Sequence, residues 1–306
     1  MQTIHDRHYG WDNALTPVLT IGSGETVEFA VQEASGGQLS PASSASDLTT
    51  LSFERINPVT GPVYIQDAAP GDLLEVEILH FKFKGWGWTG IIPGFGLLHE
   101  EFTAPVLHLW ELQNEQQATF KEGLHVPLAP FPGTIGVALA EPGQHSIVPP
   151  GQNGGNMDIR HLTAGSKLWL PVWVEGALFS VGDTHAAQGD GEVCGTAIES
   201  PMDLMLKFTL HKGCSIAEPQ FITPGPLTSQ VDQRGYHVTT GFSEDLLGAT
   251  KKAIRYMIEH LGSSYGLTPE EAYMLCSVAV DLKISEVVDV PHWLVSAYFP
   301  LSVAAR

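Results

Sequence analysis

Glycine and proline recur throughout this chain and constrain its fold more than any other feature of the sequence. The 306 residues include 32 glycines and 21 prolines. This fraction lies below that of disordered chains and is typical of many short strands joined by tight turns. We therefore expect a mainly β fold, with a β-sandwich or jelly-roll-like core and a few C-terminal helices, α+β in detail. We expect one domain over residues 1–306, within which a β-rich part (1–240) and a helix-containing part (241–306) can be distinguished.

Apolar patterns indicate the individual strands. Alternation of apolar and polar residues is clearest over residues 74–78, and it recurs over residues 26–29. Residues 167–174 form an apolar run that predicts a buried strand, and Pro171 within it predicts an edge or a bulge. Met202–His211 is a further extended candidate. Two other stretches predict surface excursions: residues 35–50, rich in serine, alanine and glycine, as a flap, and the polar residues 113–121.

Two helices are predicted near the C-terminal end. The first begins near Leu246, with Ser243 as its N-cap and Gly262 as its end. In the second, Thr268 caps the helix, the following proline takes the first helical position, and Glu271 completes a capping box. We expect both helices to cover one side of the β structure.

The charge of the chain limits which binding partners it can have, and its cysteine content indicates the cellular compartment. Acidic residues number 34 against 15 basic ones, a net charge of −19. Such a surface repels nucleic acid and anionic membranes, but is compatible with a small neutral molecule or a metal ion. The three cysteines, Cys194, Cys214 and Cys276, form no CxxC pair, and the opening segment has no signal-peptide pattern. We expect a cytoplasmic protein without a nucleic-acid or membrane partner.

Residues 181–192 carry the densest set of side chains able to do chemistry. Asp183 and His185 are two residues apart, which places both side chains on one face of a strand, and Asp190 and Glu192 have the same spacing. Carboxylate and imidazole ligands at this density suit a divalent cation. The alternative is a turn with solvated carboxylates, in which Asp190 is an ordinary Asp-Gly turn residue. The clustering favours a metal or catalytic site.

Three further segments contribute candidates. A turn with the sequence Gly-Gly-Asn-Met-Asp carries Asn156 and Asp158. Their side chains either contact a ligand or form hydrogen bonds with the backbone of their own turn. His99 follows a flexible apolar loop and either lines a small pocket or is a satisfied histidine at the edge of the core. Cys194 is a candidate nucleophile, although a free cysteine on an apolar strand is more often simply buried.

The run Gly-Asp-Thr-His-Ala-Ala-Gln-Gly-Asp-Gly-Glu at residues 182–192 resembles the signature of the acetamidase/formamidase family. The segment from Pro149-Pro150 to Asp158 also resembles that family. Further matches, at residues 8–11, 61–64, 70–72, 94–96 and 290–300, extend the resemblance over nearly the whole chain. The resemblance implies a β-rich, homo-oligomeric enzyme, a dimer or higher, that hydrolyses short amides such as formamide or acetamide to the carboxylate and ammonia. It also implies a bound divalent metal, zinc, with calcium as a candidate second ion.

Matching residues take their expected roles from this resemblance and from amide chemistry. Carried over to this chain, the metal and active-site shell consists of Asp158, Asp183, His185 and Glu192. A divalent ion polarises the amide carbonyl and lowers the pKa of a bound water. Glu192 is then either a ligand or the general base, and Asp190 is the second candidate catalytic carboxylate. The predicted substrate contacts are Asn156, Gln188 and His99.

Two other functions stay open at this point. One is an amidase that uses Cys194 as its nucleophile. The other is a non-enzymatic β-sandwich binding protein in which Asp183, Asp190 and Glu192 hold a structural calcium ion and only stiffen a loop. The flap at residues 35–50 matches no motif of the family, so that longer amides, carbamates or a cyclic amide are alternative substrates.

Overall fold

The computed structural model describes residues 2–113, 116–228 and 232–305. Two α-helices are described, α1 (Leu246–Tyr265) and α2 (Pro269–Ala279). The described strands, in chain order, are β1 Thr3–Ile4, β2 Arg7–His8, β3 Leu19–Ile21, β4 Thr26–Val31, β5 Val59–Ile65, β6 Leu73–Phe83, β7 Trp86–Ile91, β8 Val106–Glu111, β9 Gln117–Lys121, β10 Leu124–Pro127, β11 Phe131–Gly136, β12 Gly154–Asn156, β13 Lys167–Pro171, β14 Phe179–His185, β15 Met202–His211, β16 Gln220–Ile222, β17 Tyr236–Ser243, β18 Asp281–Glu286 and β19 Trp293–Pro300.

Two six-stranded sheets pack face to face and form the main core. The first has the strand order β1-β4-β15-β6-β13-β16, and the second has β12-β11-β14-β5-β2 with β3 beside β5. Phe179 of the second sheet contacts Phe29 and Phe208 of the first, with ring centroids 5.8 and 4.9 Å apart. All three rings are fully buried. This architecture confirms the predicted mainly β fold with helices near the C-terminus.

Strand predictions hold where the pattern is local, and fail at two boundaries. Met202–His211 has the predicted bounds. The strand predicted over residues 167–174 stops at Pro171, where the ring leaves no N–H for the ladder. Part of the excursion predicted at residues 113–121 is strand β9, whose Ala118 and Phe120 alternate into the core, while residues 114–115 lie outside the described residues.

Helix α2 has the predicted cap, whereas α1 has different ends. The Thr268 hydroxyl accepts from the backbone N–H of Glu271 at 3.2 Å, and the Glu271 carboxylate accepts from the Thr268 N–H at 2.9 Å. Helix α1 is capped by Asp245 rather than by Ser243. It continues through Gly262 and ends before Gly266, because one glycine inside a helix costs only about 1 kcal/mol.

Both helices pack beside a third sheet, which has the order β17-β19-β18. Helix α1 lies so close to β17 that a Cβ atom at Gly241 would be 2.2 Å from the carbonyl oxygen of Ala249. Helix α2 faces the segment after the 181–192 motif, where the Ser277 hydroxyl donates to the carbonyl of Thr196 at 2.7 Å. In the described part of the chain, no helix is long and apolar enough to cross a bilayer.

The predicted flap at residues 35–50 is less exposed than its composition indicates. Leu39 and Leu48 are buried, and they form a small apolar cluster with Trp88 and Ile92 that is separate from the main core. The serine- and alanine-rich composition does not predict this burial, because only two leucines, Leu39 and Leu48, hold the segment in place. The flap is therefore held against strand β7.

Candidate functional site

A cavity of about 330 Å³ opens beside the end of strand β14. Its base is polar and consists of four carboxylate residues and two amide residues, which are Asp158, Asp183, Glu192, Glu199, Asn57 and Asn156. Its walls are mainly apolar and come from residues 34–35, from the segment after the flap, from β7 and its following loop, from the segment around residue 148 and from residues 195–196. The cavity thus combines a charged base with an apolar mouth.

Three short segments bring the acidic side chains together with His185. Strand β14 is buried along its whole length and carries Asp183 and His185. Glu199 forms isolated β-bridges with both Trp88 and His185, which fixes it between β7 and β14. Asp158 follows β12, which pairs with β11, a direct neighbour of β14.

The side-chain atoms at the base converge to ion-pair distance without forming hydrogen bonds of good geometry. Nε2 of His185 lies 3.2 Å from Oδ1 of Asp183 and 3.1 Å from Oε2 of Glu199, but it is well aligned for a hydrogen bond to neither. Among the residues that the structure describes, these three atoms and Oδ1 of Asp158 are buried without a hydrogen-bond partner. Two overlapping groups have ligand atoms within 4.8 Å of one another: Asp158, Asp183 and His185, and His185, Glu192 and Glu199. Buried polar atoms normally have partners, so this convergence is the arrangement expected around a cation.

Gln188 fixes the orientation of the His185 ring. Its Nε2 donates to the backbone carbonyl of Asp158 at 2.9 Å, which leaves Oε1 to face Nδ1 of His185, also at 2.9 Å. Because Oε1 is an acceptor, Nδ1 carries the proton, and Nε2 is directed at the carboxylates. One amide side chain therefore orients the imidazole and anchors the loop that carries Asp158.

Electrostatics at the base are unfavourable without a cation. Burial raises the pKa of Asp158 to about 7 and that of Glu199 to about 8. Burial, together with the charge of Asp158, also raises the pKa of Glu192 well above its usual range. Burial acts against the charged forms of His185 and Asp183 as well, but their neighbours of opposite charge win, raising the pKa of His185 and lowering that of Asp183. One imidazolium cannot offset four buried carboxylates, so the site needs protons or a metal ion.

Backbone strain is concentrated at the same place. Of the described residues, seven that are not glycine have a positive φ. Four of these line the cavity, namely Asn57 (47°), Asp158 (49°), Asp183 (53°) and Glu192 (43°). The left-handed region is unfavourable for residues with a Cβ atom, and strain of this kind clusters at functional sites. The unfavourable backbone conformation of these four residues therefore lowers the stability of the fold, but it directs their side chains into the cavity.

Gly133 on β11 leaves the space that the cluster occupies. A Cβ atom there would lie 2.6 Å from Oδ1 of Asp158 and 2.8 Å from Cε1 of His185. A substitution would push apart two of the converging groups. The same Cβ atom would lie 2.9 Å from the backbone carbonyl oxygen of Asp183, so this glycine is a steric requirement of both the site and the neighbouring strand.

Comparison with known proteins identifies the family. The sequence profile of the Acetamidase/Formamidase family matches residues 1–145 and 138–305, nearly the whole chain. The chain belongs to the acetamidase/formamidase family. This membership confirms the resemblance and the amidohydrolase class predicted from the sequence.

Relatives of this family member align along its full length. A formamidase from Methylophilus methylotrophus is 27% identical, over 98% of this chain and 89% of the relative. A gamma lactamase from Delftia acidovorans has a similar structure, with a TM-score of 0.92 and 26% identity, over 99% of this chain and 93% of that protein. An acetamidase from Bacillus halodurans has a TM-score of 0.69 and 31% identity, over 98% and 97% of the two chains.

In this family member, the residues predicted for the site fall into two groups. Asp158, Asp183, His185 and Glu192, the predicted metal shell, meet at the base of the cavity, and Asn156 lines it. The other predicted residues do not line it. Gln188 lies behind His185, His99 faces the carbonyl of Gly96 at 3.0 Å, and Asp190 lies beside Arg160 and Asp281.

Sequence reasoning missed Glu199, Asn57 and Gly133. Glu199 is 2% exposed and is the only charged residue between positions 193 and 202 of the sequence. A single acid within such an apolar stretch is a usable signal, because burying it requires a partner. Asn57 and Gly133 belong to segments without a motif, and only the tertiary fold brings them to the site.

Proposed function

We propose that this protein hydrolyses short-chain amides, such as formamide and acetamide, in a reaction that depends on a divalent metal ion. The observation that carries the proposal is the set of buried, unpartnered ligand atoms of Asp158, Asp183, His185 and Glu199 at the base of a cavity. Membership of the amidohydrolase family supports the reaction type.

The donor set fits zinc with room for a second ion. His185 offers a neutral imidazole nitrogen, whose proton on Nδ1 is held by Gln188. Catalytic zinc sites take three protein ligands and keep one position open. The five groups at the base exceed that number, so that three of them can hold zinc, Glu192 can act as the base, and one carboxylate is left for an oxygen-bound second ion such as calcium.

The residues at the base divide the work of hydrolysis among them. When bound, the metal ion would polarise the amide carbonyl and lower the pKa of a water molecule. Glu192, whose pKa burial raises well above its usual range, takes the proton of the attacking water and passes it to the departing ammonia. Asn156 accepts from the Thr134 hydroxyl through Oδ1 at 2.6 Å, so its Nδ2 group is free to orient the substrate. Asp190 and His99 make no substrate contact in this proposal, and Gln188 acts through His185.

The alternative functions have less support. Cys194 is fully buried and does not line the cavity, and burial raises the pKa of its thiol, which opposes a nucleophilic thiolate. A calcium site that only stiffens a loop needs no substrate cavity, whereas the unpartnered atoms here face a cavity of about 330 Å³. We retain the predictions of a homo-oligomer and of a cytoplasmic location as proposals.

A γ-lactam is a second candidate substrate. The fold agrees more closely with that of the Delftia acidovorans gamma lactamase than with that of the Bacillus halodurans acetamidase. A γ-lactam is a cyclic amide, and its hydrolysis opens the ring and exposes a primary amine without releasing ammonia. An assay for new primary amine with 2-pyrrolidinone therefore separates this candidate from the linear amides.

Metal removal tests the proposed function. We expect the purified protein to contain zinc by elemental analysis and to release ammonia from acetamide or formamide. Dialysis against a chelator should reduce the turnover at least about 100-fold, and added Zn²⁺ should restore it. A Cys194→Ala variant should retain its turnover. Full turnover in protein shown by elemental analysis to be free of metal would refute the metal-dependent mechanism.

A further inference from the structure

We propose that the preferred substrates carry a bulky, uncharged, apolar acyl group, a chain or ring of about six heavy atoms beyond the carboxamide. The inference rests on the proposed function, since it places the amide at the base of the same cavity. It goes further because it assigns the mouth of the cavity as an acyl-binding site.

The size of the cavity argues for a large acyl group. At about 30 Å³ per heavy atom, the volume of a water molecule in the liquid, acetamide fills roughly 120 Å³. The cavity measures about 330 Å³. Acetamide would leave about 200 Å³, of which the metal ion and its bound water take a part, so that there is room for roughly five more heavy atoms beyond the methyl group of acetamide.

The chemistry of the walls argues for an apolar group. Above the carboxylates, most of the lining side chains are aliphatic or aromatic, with Ser35 and Thr196 as exceptions, and the apolar ones include Leu51, Phe53, Ile56, Trp88, Phe95 and Val148. Phe53 is 60% exposed, Phe95 45% and Val148 43%, so the mouth presents apolar surface to water. Contact with an apolar chain would remove this surface from water, which is worth about 0.8 kcal/mol per buried methylene group.

The mouth is fixed on one side by buried anchors. The Trp88 indole N–H donates to Glu33 at 2.7 Å, and the ring packs with Leu39 and Leu48 of the flap. The flap leads directly into the segment that carries Leu51 and Phe53. A wall held in this way is preformed, which reduces the entropy lost when a ligand binds.

Charge excludes acidic acyl groups. Of the residues described at the cavity wall, none is a lysine or an arginine, while four are carboxylates. A carboxylate on the acyl group would leave water for an apolar wall and would find no lysine or arginine among the described residues of the mouth. This separates neutral apolar amides from monoamides of dicarboxylic acids.

A series of linear amides tests the proposal. We expect kcat/KM to rise about fourfold for each of the four methylene groups added from acetamide to hexanamide, a total of roughly 250-fold. Adipamic acid, which has the length of hexanamide but ends in a carboxylate, should be at least tenfold poorer than hexanamide. A kcat/KM that is flat or falls along the series would overturn the proposal.

A matched pair of variants locates the effect. Phe53→Ala should lower the ratio of kcat/KM for hexanamide to that for acetamide by about fivefold, because it removes apolar wall. Phe242→Ala is the control, since Phe242 is 58% exposed but lies outside the cavity. It should leave this ratio unchanged. Equal ratios in both variants and the wild type would show that the mouth of the cavity does not bind the acyl group.

Binding separates this inference from the proposed function. If no amide is hydrolysed, the proposed function fails, and isothermal titration with hexanamide and acetamide still tests the cavity. Hexanamide that binds at least tenfold more tightly than acetamide would uphold the apolar site without hydrolysis. Equal affinities would refute it.

Discussion

Two buried glutamates, Glu33 and Glu199, lie on either side of Trp88. They differ in how the free-energy cost of burying a carboxylate is offset. Glu33 is 0% exposed and accepts five hydrogen bonds, among them those from the Trp88 indole and the Ser35 N–H, both 2.7 Å. Glu199 is 2% exposed, and its Oε1 accepts from the Ala197 N–H at 2.8 Å. Its Oε2 finds no donor in the described part of the chain and faces His185.

The difference separates structural from functional acids. Donors from its own turn and from Trp88 satisfy Glu33, so its charge stabilises the local fold. Glu199 shares its surroundings with Asp158, Asp183 and Glu192, and burial raises its pKa to about 8. Burial without partners destabilises the protein, and such a cluster is retained where a cation or a proton is part of its function. Counting donors therefore distinguishes the two acids, although both are buried.

Removing the charge of Glu199 should have the largest effect on activity. In the proposed mechanism, Glu199→Gln takes away a metal ligand while keeping the shape of the side chain. We expect amide turnover to fall by roughly 1000-fold or more, beyond the 10- to 100-fold that is typical when a residue behind the ligands is lost. Metal content by elemental analysis and kcat/KM with acetamide check this expectation.

Stability provides the control for this variant. The melting temperature of metal-free Glu199→Gln should not fall below that of the metal-free wild type, because relief of the repulsion among the four buried carboxylates offsets the lost contact with His185. A fall of several degrees would instead show that Glu199, like Glu33, supports the fold.

The fold was largely predictable because its determinants are local. The capping box from Thr268 to Glu271 fixes the start of α2 through neighbouring residues, and alternation marks the strand Met202–His211. Errors occurred where tertiary packing decided the outcome. The sequence predicts that α1 ends at Gly262, but the helix packs against β17 and continues to Tyr265.

The site was predictable only in the part that lies within one motif. The spacing of Asp183 and His185 indicated a shared face, and both residues reach the base of the cavity. Asp190 and Glu192 have the same spacing, but the turn directs Glu192 into the cavity and leaves Asp190 near Asp281. The placement of Glu199 depends on bridges to two distant strands, and spacing along the chain carries no information about them.

Gln188 should have an intermediate effect, because it touches the metal shell only through His185 and the loop of Asp158. Gln188→Leu keeps much of the volume but loses both hydrogen bonds. We expect metal affinity to fall 10- to 100-fold, measured by competition with a chelator. Turnover should recover at saturating metal, which a lost substrate contact would not allow. Gln144→Leu, at a glutamine that bonds the carbonyl of Tyr9 outside the cavity, is the control and should keep the wild-type affinity.

The smallest effect on metal binding is expected at Glu33. A variant of this residue tests whether Glu33 supports the stability of the fold rather than metal binding. Glu33→Gln replaces one acceptor oxygen by an amide group that faces N–H and O–H donors. This should cost about 3 kcal/mol and lower the melting temperature by roughly 5 °C or more, with metal affinity changed by less than about threefold. Calorimetry and the chelator competition measure the two quantities in the same variant. Loss of metal with an unchanged melting temperature would contradict the division drawn between the two acids, because it would make Glu33 a functional residue despite its full set of donors.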